Sequence, residues 1–396
     1  MRAVMVKGLS HYGGTRLFVD HAAAAFRGLG FDVEVLDLAG GEDIPGVLRA
    51  AARTPTDLVF TINYLGEYRD EAGRTVAEIF DAPHVVWHTD YIFSHEKRLL
   101  ATARDTALLL VDPTQVEAIG ELFGPDRFAH TGFFPHPAVG LAAPVDEDAD
   151  AFVRARPIPL LWSGSAPDPG TPPWRDMPPA ARQIFDAAFE LALSVEWTPP
   201  HRALDTVLRS IGLDLADPGL TGIRMGARLV DMQVRLTRRH AFLEALAATG
   251  LPLHICGDGW ADRMHRFPNA VYEGAVEMTR MTELMRRSRV VLNTNGNFGA
   301  GSHERPFSAA LAGAAVFSDF SRYYAEAFAG DEIVLFEWKA LDKGMDELVR
   351  LTGAPDIAHA MASRAKARVL DEHTWDRRIP LVLDAARRIA GKNGNA

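Results

Sequence analysis

Short apolar runs of strand length alternate with helix-length amphipathic segments along this chain, and this alternation limits the folds open to it. In the segment after the first run, apolar residues recur at three- and four-residue spacing, as in a helix with one buried face. Strands separated by helices form parallel βαβ units with helices on both faces of the sheet. The first part is therefore predicted to be a Rossmann-like domain. Its strand candidates are RAVMVKGL (2–9), FDVEVLDL (31–38), DLVFTIN (57–63), HVVWHTD (84–90), TALLLVD (106–112) and FAHTGFF (128–134).

A second series of the same kind follows a stretch rich in proline, alanine and acidic residues. Such a stretch, lacking hydrophobic periodicity, is typical of an interdomain linker. We therefore predict an α/β protein with two Rossmann-like domains facing a central cleft, and a C-terminal helix that packs back on the first domain. The predicted boundaries are 1–140 for the first domain, 141–158 for the linker, 159–370 for the second domain with a helical insertion at about 166–225, and 371–396 for the returning helix.

Composition excludes several classes of protein. The 396 residues contain 42 Lys and Arg against 52 Asp and Glu, a net charge of -10, which argues against a surface devoted to nucleic acid. The single cysteine, Cys256, rules out an intrachain disulfide framework and fits a reducing compartment. No apolar run is long enough to span a membrane, and no signal peptide is evident at the start. A cytoplasmic location is expected.

Four polar or glycine-containing loops follow predicted strands: SHYGG (10–14), SGS (163–165), GDGW (257–260) and NGNFGAGSHERP (295–306). Ligands of open parallel sheets collect at the carboxyl ends of the strands, where these loops lie. Each loop also has a plainer interpretation as a turn without a ligand. The sequence alone leaves the two interpretations open.

The stretch NFGAGSHERPFSAALAGAAVFSD (297–319) carries the most chemical information. Ser302 is the predicted helix N-cap, and proline is tolerated in the first helical turn, where Pro306 falls. A helix beginning near His303 would direct backbone N–H groups and its positive dipole end at a ligand. Arg305, with help from His303, adds charge-assisted donors. These features predict a phosphate site; the alternative is a solvated first turn in which Glu304 supports Arg305.

The second half resembles the C-terminal domain of GT-B glycosyltransferases, most closely the CgeB-like group and related flagellin- and surface-glycan-modifying transferases of glycosyl transferase group 1. The matching motifs are LPLHICGDGW, FPNAVYEGAV, MTELMRRSRVVLNTN, HERPFSAALAGAAVFSD, FAGDEIVLFEW and EHTWDRR. The resemblance implies a nucleotide-sugar donor bound by the second domain and a hydroxyl acceptor bound by the first. The acceptor would be a protein such as flagellin, a surface glycan or a small molecule. It also implies that no metal or other cofactor is needed, and no nucleic acid or transmembrane segment is expected.

The predicted site residues come from the loops and from this resemblance. A general base is expected in the first domain. His11 and Asp90 are the best-placed candidates, and His88 and His95 are weaker ones for which a packing or surface role is the preferred interpretation. No metal ligands are predicted, because the aspartates of VDEDADA lie in the acidic linker. The donor-binding residues are predicted to be Gly13, Gly14, Gly164, Ser165, Gly257, Asp258, Gly259, Asn293, Ser302, His303, Glu304, Arg305 and Ser308.

One departure from the family bears on the mechanism. Many retaining GT-B enzymes carry two glutamates eight residues apart, and those positions fall here on Ala300 and Ser308. Their absence favours an inverting mechanism, which needs a base to deprotonate the acceptor hydroxyl. Two alternatives stay open: a nucleotide-sugar epimerase or hydrolase on the same fold, and a non-catalytic nucleotide-sugar-binding subunit.

Overall fold

The computed structural model describes residues 1–40, 43–144, 146–195, 197–296 and 298–393. The chain divides into two compact units. The N-terminal unit is Met1–Pro137 together with the segment from His373 onward, and the C-terminal unit is Ala138–Glu372. Within the described ranges, no helix is both long and apolar enough to cross a membrane.

The N-terminal unit is built on a six-stranded sheet in the order β2-β1-β3-β4-β5-β6, and all neighbouring strands are parallel. Its strands are β1 (Arg2–Lys7), β2 (Asp32–Asp37), β3 (Leu58–Ile62), β4 (His84–His88), β5 (Thr106–Leu110) and β6 (His130–Phe133). Its helices are α1 (Gly14–Gly28), α2 (Ile44–Ala51), α3 (Val76–Phe80), α4 (Glu96–Ala101) and α5 (Pro113–Phe123), with a 3₁₀ helix at Ile92–His95. Strands β3, β4 and β5 are buried along their whole length, as expected for a parallel sheet covered on both faces.

The second sheet also has six parallel strands, in the order β12-β11-β10-β7-β8-β9. Successive residues of β7 contribute to different apolar cores, because Leu161 packs on one face while Leu160 and Trp162 pack on the other. The sheet therefore separates two layers of helices. Its strands are β7 (Ile158–Ser163), β8 (Leu253–Cys256), β9 (Ala270–Gly274), β10 (Ser288–Asn293), β11 (Ala315–Asp319) and β12 (Val334–Phe336).

The helices of the C-terminal unit include an insertion between β7 and β8. Helices α7, α8 and α9 enclose their own apolar core around Trp174, Phe185 and Leu204, and pack on α10. They lie where the sequence predicts a helical insertion. The helices are α6 (Ala149–Ala155), α7 (Pro179–Ser194), α8 (Pro200–Ser210), α9 (Thr221–Met225), α10 (Ala227–Ala248), α11 (Met278–Arg286), α12 (Glu304–Leu311), α13 (Arg322–Ala327), α14 (Leu341–Gly353) and α15 (Pro355–Glu372), with 3₁₀ helices at Pro218–Leu220, Ala261–Arg266 and Trp338–Ala340.

The last helix, α16 (Trp375–Asn393), belongs to the N-terminal unit, as the sequence predicts. It packs against α1 and against β4, β5 and β6. Trp375 anchors it, with its ring centroid 5.5 Å from that of Trp87 and 6.2 Å from that of Phe134. Burial of large aromatic side chains is a main source of such packing energy.

The stretch predicted to be a linker (141–158) is largely ordered within the C-terminal unit. Asp148 caps α6 by accepting a hydrogen bond from the Ala151 N–H at 2.7 Å, and Phe152 is fully buried. Asp146 forms an ion pair with the buried Arg156 at 3.1 Å. Asp146 and Asp148 therefore have structural partners, although the stretch that contains them shows no hydrophobic periodicity.

Candidate functional site

The order of strands in the C-terminal sheet places a topological switch point between β7 and β10. The chain adds β8 and β9 on one side of β7 and then crosses to add β10 on the other side. In open parallel sheets, ligands bind outside the carboxyl ends of the strands at such a point. The loops that border it are the one that starts at Gly164, after β7, and the one that starts at Thr294, after β10.

Helix α12 follows the second of these loops, and its N-cap is His303 rather than the predicted Ser302. Ser302 is fully buried in the loop. His303 has an extended backbone, with φ -117° and ψ 154°, and its N–H donates to the hydroxyl of Tyr324 at 2.7 Å. That bond ties the chain to α13 before the helix starts, so helical geometry begins one residue later than predicted.

The ring of His303 makes two contacts at Nδ1 that cannot both be hydrogen bonds. Nδ1 lies 2.6 Å from a carboxylate oxygen of Glu304 and 3.4 Å from the backbone nitrogen of Arg305. The shorter contact requires a proton on Nδ1, which then cannot accept from Arg305. The Arg305 N–H is left with that long contact alone, at the positive end of an eight-residue helix.

The side chain of Arg305 is oriented by Asn293, the last residue of β10. Its Nη1 donates to Oδ1 of Asn293 at 2.7 Å, and Nδ2 of Asn293 donates to the hydroxyl of Ser318 at 2.9 Å. Asn293 is fully buried. Its position therefore suits it to hold the Arg305 guanidinium in place, rather than to contact a ligand as the sequence predicts.

Two further arginines, which the sequence analysis missed, lie on one face of α10. Arg235 and Arg239 are four residues apart and so project from the same side of the helix. The stem of Arg235 lies along the backbone of Gly296, in the loop after β10, because a Cβ added there would be 3.3 Å from its Cγ and Cδ. The guanidinium carbon of Arg239 lies 5.9 Å from the ring centroid of Trp162, near the carboxyl end of β7.

The charges of these arginines act on one another. Burial, followed by the positive charges of Arg235 and Arg305, lowers the pKa of Arg239 to about 10. Its Nε is buried without a hydrogen-bond partner in the described part of the chain. None of the three arginines forms an ion pair with a carboxylate among the described residues. We call Arg235, Arg239 and Arg305 the arginine cluster; its positive charge is largely uncompensated.

One buried carboxylate, Asp319 at the end of β11, lies close enough to act on Arg239. Its two oxygens accept hydrogen bonds from the backbone N–H of Asn295 at 2.5 Å and from Nε1 of Trp338 at 3.2 Å. Burial nevertheless raises its pKa to about 6. Asp319 thus fixes the loop after β10 and offsets only part of the positive charge of the cluster.

The predicted glycine loops SGS and GDGW pack on each other. A Cβ added at Gly257, whose φ is 133°, would lie 2.4 Å from the carbonyl oxygen of Gly164. That carbonyl accepts a hydrogen bond from Nε1 of the buried Trp260 at 2.8 Å. The close approach of the two loops accounts for both glycines, while Ser165 and Asp258, together with Gly259, are exposed.

Three other positions near α12 have partners inside the protein. The hydroxyl of the buried Ser308 accepts a hydrogen bond from the backbone N–H of Val139 at 3.1 Å, so it faces the interior and not the switch point. The carbonyl of Gly299 accepts from the Arg322 N–H at 2.9 Å, and that of Gly301 accepts from the Ser321 hydroxyl at 2.5 Å. These glycines allow the loop to pack on α13.

The remaining predicted residues lie in the N-terminal unit. Gly13 is the N-cap of α1 with φ 71°, and Gly14 begins that helix. His11 is exposed and its ring packs on Tyr12, with centroids 4.1 Å apart. Asp90 follows β4, and one of its carboxylate oxygens lies 3.2 Å from Nε2 of His95 and 3.1 Å from Nδ2 of Asn63.

Comparison with known families connects part of the chain to a class of enzymes. Residues 238–384 match the family described as glycosyl transferase-like. The match includes Arg239, the whole loop after β10, and α12. No curated protein has a matching sequence.

Solved structures match over nearly the whole chain. Sucrose-phosphate synthase from Thermosynechococcus elongatus is 10% identical with a TM-score of 0.54, covering 99% of this chain and 100% of its own. HepE from Anabaena, in complex with UDP and glucose, is 13% identical with a TM-score of 0.50, covering 100% of both chains. An α-glucosyltransferase in complex with UDP-glucose and DNA is 13% identical with a TM-score of 0.53, covering 98% of this chain and 99% of its own.

These likenesses, with the two parallel sheets, confirm the predicted GT-B fold. The match of residues 238–384 to the glycosyl transferase-like family agrees with the predicted enzyme class, a glycosyltransferase. The assignment to the CgeB-like group stays a prediction.

Proposed function

We propose that this protein transfers a sugar from a nucleoside diphosphate donor to a hydroxyl acceptor, and that the arginine cluster binds the diphosphate. The observation that carries the proposal is the convergence of Arg235, Arg239 and Arg305 at the switch point without carboxylate partners. A diphosphate would supply the missing negative charge. Guanidinium groups bind phosphate oxygens through paired, charge-assisted hydrogen bonds.

The start of α12 supports the same assignment. Backbone N–H groups at a helix N-terminus bind phosphate, and the dipole of the helix favours negative charge there. During transfer the bond between the sugar and the diphosphate breaks, so negative charge develops on the leaving oxygen. Fixed positive groups at that position stabilise the transition state.

We further propose that the reaction needs no metal ion. The arginine cluster and the start of α12 support this proposal, because they supply the positive charge with which a divalent cation would otherwise neutralise the leaving group.

We also propose a cytoplasmic location. It is supported by the single cysteine, the buried Cys256, which fits a reducing compartment.

Inversion at the anomeric carbon is the stereochemical outcome that we propose. One of the two positions where retaining relatives carry glutamates is occupied here by Ser308, whose hydroxyl is engaged with Val139. Glu304 does not replace that glutamate, since its carboxylate contacts His303 and is mostly buried. Inversion in one step requires a base that removes the proton of the acceptor hydroxyl. The sequence predicts His11 or Asp90 for this role.

A thermal-shift screen with UDP-, GDP- and dTDP-glucose and a CMP-linked sugar, followed by product analysis, tests the proposal. A ligand that binds only the folded state at 100 times its Kd stabilises that state by about 2.7 kcal/mol. We expect a shift with a diphosphate donor, no effect of EDTA, and a product of inverted configuration in ¹H NMR spectra. An isomerised nucleotide sugar would indicate an epimerase, and binding without turnover would indicate a non-catalytic subunit; either result would contradict the proposal.

A further inference from the structure

The loops after β3 and β4 of the N-terminal unit are clamped together by Asn63. Its Oδ1 accepts from the Thr89 N–H at 2.8 Å, while its Nδ2 donates to the Thr89 hydroxyl at 2.8 Å and to Oδ2 of Asp90 at 3.1 Å. Asn63 and Leu65 both have left-handed backbones, with φ of 64° and 72°. Non-glycine residues held in this region cost free energy, and such strain clusters at functional sites.

His95 completes the arrangement from the 3₁₀ helix that follows β4. That helix is held in place by the N–H of Ile92, which donates to Oε1 of the buried Gln115 at 2.9 Å. Nε2 of His95 lies 3.2 Å from Oδ2 of Asp90, the same oxygen that Asn63 contacts. Asp90 is thereby fixed by two donors from two different elements.

The contact with Asp90 determines which nitrogen of His95 can act as a base. An ionised carboxylate only accepts hydrogen bonds, so Nε2 must carry the proton. In neutral imidazole the lone pair is then on Nδ1. Nδ1 of His95 has no hydrogen-bond partner among the described residues, and 20% of the side chain is exposed. The partly exposed ring can therefore accept a proton from a bound molecule.

We infer that His95, oriented by Asp90, is the general base that activates the acceptor hydroxyl. This inference rests on the proposed function. It places His95, a weaker candidate in the sequence analysis, ahead of His11 and Asp90, and Asp90 becomes a positioning residue. The acceptor O–H proton moves to Nδ1 while the acceptor oxygen bonds to the anomeric carbon. The bond from that carbon to the diphosphate breaks, and its electron pair leaves on the diphosphate oxygen. The Asp90 carboxylate stabilises the imidazolium formed.

Kinetics of His95 variants test the inference, with the one of UDP-, GDP- and dTDP-glucose that gives the largest thermal shift as donor. Release of nucleoside diphosphate is followed with water and with p-nitrophenyl β-glucoside as acceptors. Replacing a general base lowers the rate by about 10²–10⁴-fold. We expect that loss in kcat for His95→Ala and His95→Gln, with donor Kd and Tm unchanged. Imidazole should partly restore His95→Ala.

The glutamine variant separates catalysis from structure, because its amide can still donate to Asp90 but cannot take a proton. Asp90→Asn should lower kcat by a similar factor without affecting donor affinity. His130→Gln is the control: His130 lies at the amino end of β6, whereas Asp90 follows the carboxyl end of β4. The control should leave kcat within about threefold of wild type, well short of that loss.

Three outcomes would overturn the inference. His95→Gln could retain wild-type kcat, or His11→Ala could abolish turnover while His95→Ala does not. Either result would leave the proposed transferase activity standing. A wild-type protein that binds donor but releases no nucleoside diphosphate would overturn the inference and the proposed function together.

Discussion

Replacing Arg239 with methionine should weaken donor binding without weakening the fold. Methionine keeps the packing against Trp162 but removes the charge and the unpartnered Nε. The pKa of Arg239 falls from 12.5 to about 10 because of burial and of its two arginine neighbours. At 1.36 kcal/mol per pKa unit this penalty is at most about 3 kcal/mol, and the packing contacts that the shorter methionine cannot make offset part of the gain from removing it.

The free energy of unfolding without ligand should therefore stay the same or rise by about 1 kcal/mol in Arg239→Met. Loss of a charge-assisted hydrogen bond to phosphate costs about 1.5–3 kcal/mol. The Kd for UDP, or for GDP or dTDP if that donor gives the largest thermal shift, should therefore increase about 10- to 150-fold. Guanidinium unfolding and isothermal titration calorimetry measure the two quantities. Arg350→Met, at an exposed ion pair with Glu347, is the matched control and should change neither.

A variant that loses stability while its affinity for UDP is unchanged would refute the reasoning. Arg239 would then be a packing residue of α10, and the low pKa would reflect burial alone. Arg239 would then no longer belong to the proposed diphosphate site.

Two further predictions concern the pH dependence of stability. Burial lowers the pKa of His88 to about 3, so the folded state binds fewer protons than the unfolded state below pH 6.5, and stability falls as the pH drops. From pH 7 to pH 5 this effect lowers the free energy of unfolding by about 2 kcal/mol, and the decrease should be smaller by that amount in His88→Leu. A decrease in the variant equal to that in wild type would contradict the assignment. Asp319 has the opposite sign, because its pKa is raised from 3.8 to about 6 and stability is lost as the pH rises through that range. Relative to wild type, Asp319→Asn should therefore gain about 2 kcal/mol of unfolding free energy between pH 4.5 and 7.5 in denaturant titrations.

The sequence predicted both sheets because alternation of apolar strands and amphipathic helices leaves few arrangements. Short apolar runs bounded by turn residues, such as TALLLVD, are typical of internal strands of a parallel sheet. The start of α12 was predicted to within one residue. The error at Ser302 arose because the hydrogen bond from His303 to Tyr324 joins positions 21 residues apart, which no local pattern reports.

The arginine cluster was missed for a related reason. The sequence of α10 has an amphipathic pattern, in which Arg235 and Arg239 are indistinguishable from the arginines of an ordinary solvated face. The insertion after β7 separates α10 from that strand by more than 60 residues, so the sequence does not show that they meet. Had the strand order been known, two arginines four residues apart on a helix near the switch point would have predicted an anion-binding site there.

The sequence analysis ranked His95 below His11 and Asp90 because the contact between His95 and Asp90 depends on how the chain folds after β4. Five residues separate it from Asp90, and only the 3₁₀ helix at Ile92–His95 brings the two side chains together. The sequence places Asp90 at the end of a predicted strand but does not show that His95 contacts it. The left-handed backbone of Asn63 is likewise not indicated by the sequence Asn-Tyr at positions 63 and 64.

Titration of UDP and UMP, or of the guanosine or thymidine pair if the thermal-shift screen selects that donor, into wild-type protein and Arg305→Ala tests the central claim most directly. A seat for two phosphates predicts that wild type prefers UDP over UMP, and that Arg305→Ala weakens UDP about 10- to 100-fold while affecting UMP much less. Equal affinities of the two proteins for a diphosphate that wild type binds would contradict the assignment of the start of α12 as the donor diphosphate site.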